Sequence, residues 1–128
     1  MLILLVDDDP RVRASWRRIV EADGHEVREA GSVQDAMTVL VDVKAHGLSF
    51  DAALIDYELG TGLTGVDVGE HTDQRTALLM VTGHDPSIMQ PVIERPLRRF
   101  LAVLGKPLDA QQLRNVLAHV QRRNDPTR

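Results

Sequence analysis

Three consecutive aspartates, Asp7, Asp8 and Asp9, follow the apolar run LILLV near the start of the chain. Like charges this close repel one another, so the cluster opposes folding unless a positive charge offsets it. An oxygen-only set with few protein ligands suits Mg²⁺, which keeps several waters and favours phosphate-bearing substrates. The cluster therefore predicts a Mg²⁺ site directly after this run.

Further polar residues follow other apolar runs along the chain. Asp56 follows DAALI, Thr82 follows ALLMV, and Lys106 comes just after FLAVL. If these runs are strands of a parallel sheet, their carboxyl ends meet at one edge, and the three side chains lie beside the acidic cluster. Taken singly, each residue has a more ordinary interpretation, as a helix cap, a strand end or a solvated loop residue. Their combination indicates a functional site.

This combination of side chains suits phosphoryl transfer. One oxygen of Asp56 can bind the cation while the other attacks phosphorus and forms an aspartyl phosphate. Mg²⁺ and Lys106 would offset the charge on the transferring phosphoryl oxygens. Thr82 would hydrogen-bond the phosphoryl product. We therefore expect Asp7, Asp8 and Asp56 to bind the metal, and Asp56, Thr82 and Lys106 to take part in the reaction.

The elements that must position these residues alternate along the chain. Short apolar runs bounded by turn or charged residues are typical of strands buried on both faces. Periodic apolar residues predict helices after Pro10, after Ser32 and after Asp109, with Asp9 as the N-cap of the first. The predicted strands cover residues 2–6, 25–30, 51–55, 77–81 and 100–104.

The remaining connections carry weaker patterns. Residues 57–75 contain four glycines and residues 83–99 contain three prolines, of which Pro91 predicts a short or broken helix. No linker or repeat interrupts the alternation of strands and helices. The pattern therefore predicts a single α/β domain over residues 1–122, followed by a flexible tail over residues 123–128.

Composition narrows the class of protein. The chain has no cysteine, which excludes disulfides and thiolate metal sites and favours a reducing cytoplasm. Its 15 basic and 19 acidic residues give a net charge of −4, which provides no general attraction for nucleic acid. The arginines at positions 11, 13, 17 and 18 are interpreted as a solvated helix face. The apolar start is too short for a signal peptide, and no run is long enough to span a membrane. We expect a cytoplasmic protein that binds neither nucleic acid nor a membrane directly.

The sequence resembles the receiver domain of two-component response regulators over essentially its whole length. The resemblance rests on LLVDDDP, ALIDYELG, LLMVTG and LGKP, which occur in the order and spacing of that family. It implies a flavodoxin-like fold, with a five-stranded parallel sheet of order 2-1-3-4-5 and helices on both faces. It places the family's acidic pair at Asp7 and Asp8, its phospho-acceptor at Asp56, its switch hydroxyl at Thr82 and its lysine at Lys106.

The resemblance also implies a role in signalling. A histidine kinase or a histidine phosphotransfer protein would donate the phosphoryl group, with Mg²⁺ as the cofactor. The chain would then be a phospho-acceptor rather than an enzyme, with at most self-phosphorylation and self-dephosphorylation, and a monomer or weak dimer. The DYELG and LGKP variants resemble receivers attached to hybrid sensor kinases.

Some positions depart from the family pattern. Where receivers usually carry a proline and then a glycine after the acceptor, this chain has Gly60 and Thr64, and Gly65 follows one position later. The loop after Asp56 is therefore predicted to be one residue longer. Val103 stands where an aromatic residue usually precedes the lysine, and its short, stiff side chain predicts a response without an aromatic rotamer swing.

Two other functions fit part of the pattern. A haloacid dehalogenase-type phosphatase also uses an aspartate after its first strand, but its motif needs Thr or Val where this chain has Arg11. A degenerate receiver would bind partners without phosphorylation. The altered loop and Val103 support that interpretation, whereas four intact site residues oppose it: Asp8, Asp56, Thr82 and Lys106. Turnover of a small phosphate monoester would favour the first alternative, and failure to accept phosphate the second.

Overall fold

Each predicted strand is present, and together the strands form one sheet. The structure is a computed structural model that describes residues 1–60, 62–83 and 99–124. Its strands are β1 (Leu2–Val6), β2 (Glu26–Ala30), β3 (Ala52–Asp56), β4 (Ala77–Thr82) and β5 (Phe100–Gly105). They pair in parallel in the order β2-β1-β3-β4-β5. This order and pairing confirm the predicted flavodoxin-like architecture.

Helices cover both faces of the sheet, as predicted. Within the described ranges they are α1 (Pro10–Ala22), α2 (Val33–Ala45), α3 (Gly65–Glu70) and α4 (Ala110–Asn124). One apolar cluster packs α2 and α3 against one face, and a second packs α1 and α4 against the other. β3 and β4 are buried along their whole length, because both of their faces meet a helical layer.

The helix starts follow from local sequence. Asp9 caps α1, where its Oδ1 accepts from the Arg11 backbone N at 2.8 Å and Pro10 fills the first helical position. The Ser32 hydroxyl caps α2 by accepting from the backbone N of Asp35 at 3.0 Å. Asp109 accepts from the first backbone N–H groups of α4. These three starts agree with the prediction.

The glycine-rich connection contains a short helix, whose start the weak sequence pattern there did not define. Thr64 and Asp67 form a capping box: the Thr64 side chain accepts from the helix backbone, and Asp67 Oδ2 accepts from the Thr64 backbone N at 2.7 Å. These paired hydrogen bonds start α3 even though the helix has only 6 residues, two of them glycines. Capping here outweighs the low helix propensity of glycine.

Two predictions lie wholly or partly outside the described residues. The short or broken helix around Pro91 falls within residues 84–98. The tail predicted from residue 123 begins inside α4, which runs through Arg123 to Asn124. Residues 125–128 are not described, so the tail there stays a prediction. Among the described helices, none combines the length and apolar character needed to cross a membrane.

Candidate functional site

Strand pairing brings the predicted site residues to one edge of the sheet. Val6 lies opposite Ile55 in the β1–β3 pair, so the residues that follow them, Asp7 and Asp56, are neighbours. On the other side, Thr82 lies opposite Gly105 in the β4–β5 pair. The Lys106 backbone N then donates to the Thr82 carbonyl oxygen at 2.8 Å. The site therefore draws on the carboxyl ends of four strands.

Lys106 joins the two buried carboxylates. Its Nζ donates to Asp7 Oδ2 at 2.7 Å and lies 3.3 Å from Asp56 Oδ2. The same ammonium lies over the ring of Trp16, 5.7 Å from its centroid. A cation held between two carboxylates and an aromatic face is fixed from three sides.

The acidic cluster contains the residues predicted to bind a metal. Asp7, Asp8 and Asp56 each offer a carboxylate oxygen, and these oxygens lie within 4.8 Å of one another. Asp7 and Asp56 are buried, whereas Asp8 is exposed. Such an oxygen-only set fits a hard cation such as Mg²⁺ that keeps several of its waters.

Asp7 has both carboxylate oxygens engaged by the protein. Oδ2 accepts from Lys106, and Oδ1 accepts from the Asp9 backbone N at 2.8 Å. The carboxylate of Asp8 takes part in neither of these hydrogen bonds, and Asp8 is exposed to solvent. Asp9 turns away to cap α1, as expected. Within the acidic run, Asp8 is thus the residue best placed to meet a hydrated cation.

The electrostatics of the site follow from burial and charge. Burial, opposed by the positive charge of Lys106 and aided by the negative charge of Asp7, raises the pKa of Asp56 to about 6. Burial disfavours the charged form of Lys106, but its hydrogen bond to Asp7 and the charge of Asp56 raise its pKa overall. At neutral pH, Asp56 is therefore a carboxylate and Lys106 an ammonium.

A cleft of about 590 Å³ opens above the acidic cluster. Its lining includes Asp8, Asp56 and Lys106, together with Glu58, Leu63 and other residues of the loop between β3 and α3. The Glu58 backbone N lies 3.4 Å from Asp56 Oδ1. Among the described residues, the lining does not include Thr82, which is buried at the end of β4. The carboxylates thus face the cleft.

The loop after Asp56 ends at Gly65, which hydrogen-bonds to the residue directly after Asp56. Gly65 N donates to the Tyr57 carbonyl oxygen at 2.9 Å, and Glu58 and Thr64 form an antiparallel bridge. A Cβ at position 65 would collide with the Asp56 carbonyl oxygen and lie 2.8 Å from Ile55 Cγ2. Only glycine fits so close to the backbone of Asp56. This explains why a glycine is needed at this displaced position.

Comparison with known families shows the family to which the chain belongs. A family model described as the response regulator receiver domain matches residues 3–118. The chain belongs to the receiver family. A receiver is a signalling module rather than an enzyme in the usual sense, and its family interacts with phosphodonors such as kinases. No curated protein sequence gives a significant match.

Solved structures of other receivers share the fold of this one. A receiver domain protein from Clostridium thermocellum has a TM-score of 0.77 at 23% identity, with 95% of this chain and 94% of that chain covered. A CheY-like receiver from Methanospirillum hungatei has a TM-score of 0.74 at 23% identity, covering 94% of each chain. The response regulator TrrA from Thermotoga maritima, solved in complex with Mg²⁺–BeF, has a TM-score of 0.74 at 18% identity and covers 93% and 97%.

The structure of this receiver also shows residues that the sequence did not single out. Trp16 is one of the periodic apolar residues of α1, but its contact with Lys106 depends on how α1 packs on the sheet. Arg13 was assigned to a solvated face, yet its side chain is only 17% exposed, compared with 92% for Arg11. Because the chain belongs to the receiver family, a receiver is favoured over a haloacid dehalogenase-type phosphatase.

Proposed function

We propose that this receiver accepts a phosphoryl group on Asp56 from a phosphohistidine donor in a Mg²⁺-dependent reaction. The observation that supports this most strongly is the contact of the Lys106 ammonium with both Asp7 and Asp56 beneath an open cleft. Burying a lysine together with two carboxylates costs desolvation free energy, so such a group of charges favours a functional role. Phosphoryl transfer to a carboxylate uses all of them.

The reaction is a displacement at phosphorus. A carboxylate oxygen of Asp56 forms a bond to phosphorus, while the bond between phosphorus and the donor imidazole nitrogen breaks. The electron pair of that bond stays on the imidazole nitrogen, and the product is an aspartyl phosphate. Lys106 is held beside Asp56 and offsets negative charge on the phosphoryl oxygens. Because its position is fixed in advance, little reorganisation is needed.

Asp8 and Asp56 would hold the Mg²⁺ directly, and Asp7 would act partly through water because both of its oxygens are already engaged. When bound, Mg²⁺ neutralises charge on the phosphoryl oxygens and lowers the repulsion among the three carboxylates. Thr82 is buried at the end of β4. Its hydroxyl would hydrogen-bond the phosphoryl group after the transfer.

The donor would be a histidine kinase or a histidine phosphotransfer protein. Both present a phosphorylated imidazole, and an open cleft gives such a side chain access to Asp56. The receiver would act as a monomer or weak dimer in the cytoplasm, with self-phosphorylation and self-dephosphorylation as its only catalysis. Neither nucleic acid nor a membrane would be a direct partner.

The proposal is tested by incubating the protein with a small-molecule phosphodonor and Mg²⁺ and measuring its intact mass. We expect the mass of one phosphoryl group to be added to the wild type and none to Asp56→Asn. Asp9→Asn is the matched control, since asparagine caps α1 as well as aspartate does. This variant should accept phosphate like the wild type.

The other outcomes distinguish the alternatives. Phosphate located on Asp7 would contradict the proposal. Absence of any added mass, with both a small phosphodonor and a phosphohistidine donor, would support a degenerate receiver that binds partners without phosphorylation.

A further inference from the structure

Arg13 has contacts that the proposed reaction does not use. Its Nη1 donates to the carbonyl oxygen of Asp7 at 2.5 Å, and its Nε donates to Glu29 Oε1 at 2.9 Å. Arg13 belongs to α1 and Glu29 to β2, whereas Asp7 follows β1. The guanidinium therefore connects three segments of the chain directly beside the acidic cluster.

Glu29 holds this guanidinium in place. It accepts hydrogen bonds from Arg13 and from Arg17, whose Nε also donates to Glu21 at 2.9 Å. Although burial opposes the shift, these two arginines lower the pKa of Glu29 below its usual value. Gly31 leaves room for the arrangement, since a Cβ there would lie 3.2 Å from Arg13 Nη1. The side chain of Arg13 is thus fixed on both sides.

The Asp7 carbonyl accepts from Arg13, and the other polar groups of Asp7 have partners elsewhere. The Asp7 backbone N donates to the Ala30 carbonyl oxygen at 3.2 Å, and the Asp7 carboxylate is held by Lys106 and by the Asp9 backbone N. The carbonyl belongs to the planar peptide that joins Asp7 to Asp8. This peptide plane also contains the Asp8 Cα, to which the exposed Asp8 side chain is attached. A fixed Asp7 carbonyl therefore fixes the position of the Asp8 Cα.

We propose that Arg13 is a positioning residue for the metal site: by holding the Asp7 carbonyl, it orients the peptide that presents Asp8 to the cation. This inference rests on the proposed function, because it assigns a role in Mg²⁺ binding. Groups that orient metal ligands commonly contribute strongly to metal affinity. The positive charge of Arg13 would by itself repel Mg²⁺, and Glu29 offsets that charge.

The test separates geometry from charge. Arg13→Lys keeps the charge, but one ammonium cannot reproduce the planar fork that reaches Asp7 and Glu29 together. Arg17→Lys is the matched control, because Arg17 shares Glu29 but makes no described contact with Asp7. Trp16 is the single tryptophan of the chain and lies under Lys106, so its fluorescence reports Mg²⁺ binding without a label.

We expect Arg13→Lys to weaken Mg²⁺ binding on the order of tenfold, as for other residues that orient metal ligands. Arg17→Lys should match the wild type. In phosphorylation assays, Arg13→Lys should need more Mg²⁺ for half-maximal rate, while its rate at saturating Mg²⁺ stays close to that of the wild type. Thermal melting without Mg²⁺ checks that each variant folds.

Further outcomes decide the inference. Wild-type affinity in Arg13→Lys would overturn it, and so would tighter binding in Arg13→Gln with no change in Arg13→Lys, since charge alone would then explain the site. If Arg13→Lys does not fold, Glu29→Gln should also weaken Mg²⁺ binding, and wild-type affinity in that variant would overturn the inference. A wild type that binds Mg²⁺ and accepts phosphate, alongside an Arg13→Lys variant of equal Mg²⁺ affinity, would overturn this inference alone, whereas a wild type that accepts no phosphate contradicts the proposed function.

Discussion

Asp56 must carry a negative charge to act as a nucleophile, yet it lies in a buried position. Its pKa is about 6 in the folded protein, compared with 3.8 as its ordinary value. Between these values the folded state binds a proton that the unfolded state has lost. Stability therefore falls as the pH rises from about 4 to about 6, and remains lower above that range. The proposed nucleophile destabilises the fold in which it acts.

Asp56→Asn should remove this cost. In Mg²⁺-free buffer at neutral pH we expect the variant to be more stable than the wild type by about 1 to 3 kcal/mol, since one pKa unit corresponds to about 1.4 kcal/mol. The gain should disappear towards pH 4, where Asp56 of the wild type is itself neutral. Chemical denaturation at both pH values measures the difference. A gain that does not change with pH would contradict the electrostatic explanation.

At the scale of single elements, α1 and α3 show what the sequence could predict. The start of α1 was predicted because Asp9 and Pro10 are adjacent and act locally. The start of α3 was missed because Gly65 and Gly69 obscured the capping box of Thr64 and Asp67. Arg13 was missed for a different reason. Its partners Asp7 and Glu29 come together only when α1 packs beside β2, and no local pattern encodes that packing.

Gly65, the first residue of α3, packs closely against the backbone of Asp56. Gly65→Ala should destabilise the protein by about 1 to 3 kcal/mol, because the added Cβ meets the Asp56 backbone and the chain must shift. Gly83→Ala is the matched control at the same edge of the sheet, since a Cβ there would have no atom of the described residues within 4 Å. Urea denaturation of both variants measures the effect. Equal free energies of unfolding for the two variants would contradict the predicted steric clash at position 65.

At the scale of the whole molecule, much of the site follows from strand order. Parallel strands β1, β3, β4 and β5 are neighbours, so any polar residues after them meet at one edge. That is why Asp7, Asp56 and Lys106 could be placed together from the sequence. The distances between them could not be predicted, because they depend on register and on the direction of each side chain.

The global stability should report Mg²⁺ binding. A ligand that binds only the folded state raises the melting temperature, and the rise grows with ligand concentration. We expect millimolar Mg²⁺ to raise the melting temperature of the wild type and a chelator to reverse the rise. Asp8→Asn should melt higher than the wild type without Mg²⁺, because one repelling charge is gone, and should not respond to Mg²⁺. An unchanged wild-type melting temperature would contradict a metal site at this cluster.

The hydrogen bond between Gly65 and Tyr57 bears on how freely the length of this loop can change in evolution. The two ends of the loop are held together directly after β3, by the hydrogen bond of Gly65 to Tyr57 and by the bridge between Glu58 and Thr64. Lengthening a loop between fixed ends costs only a small increment of closure entropy. Insertions can therefore accumulate between Glu58 and Thr64 without moving the acceptor. A change of length in this loop would alter the rim of the cleft while leaving the backbone of Asp56 in place.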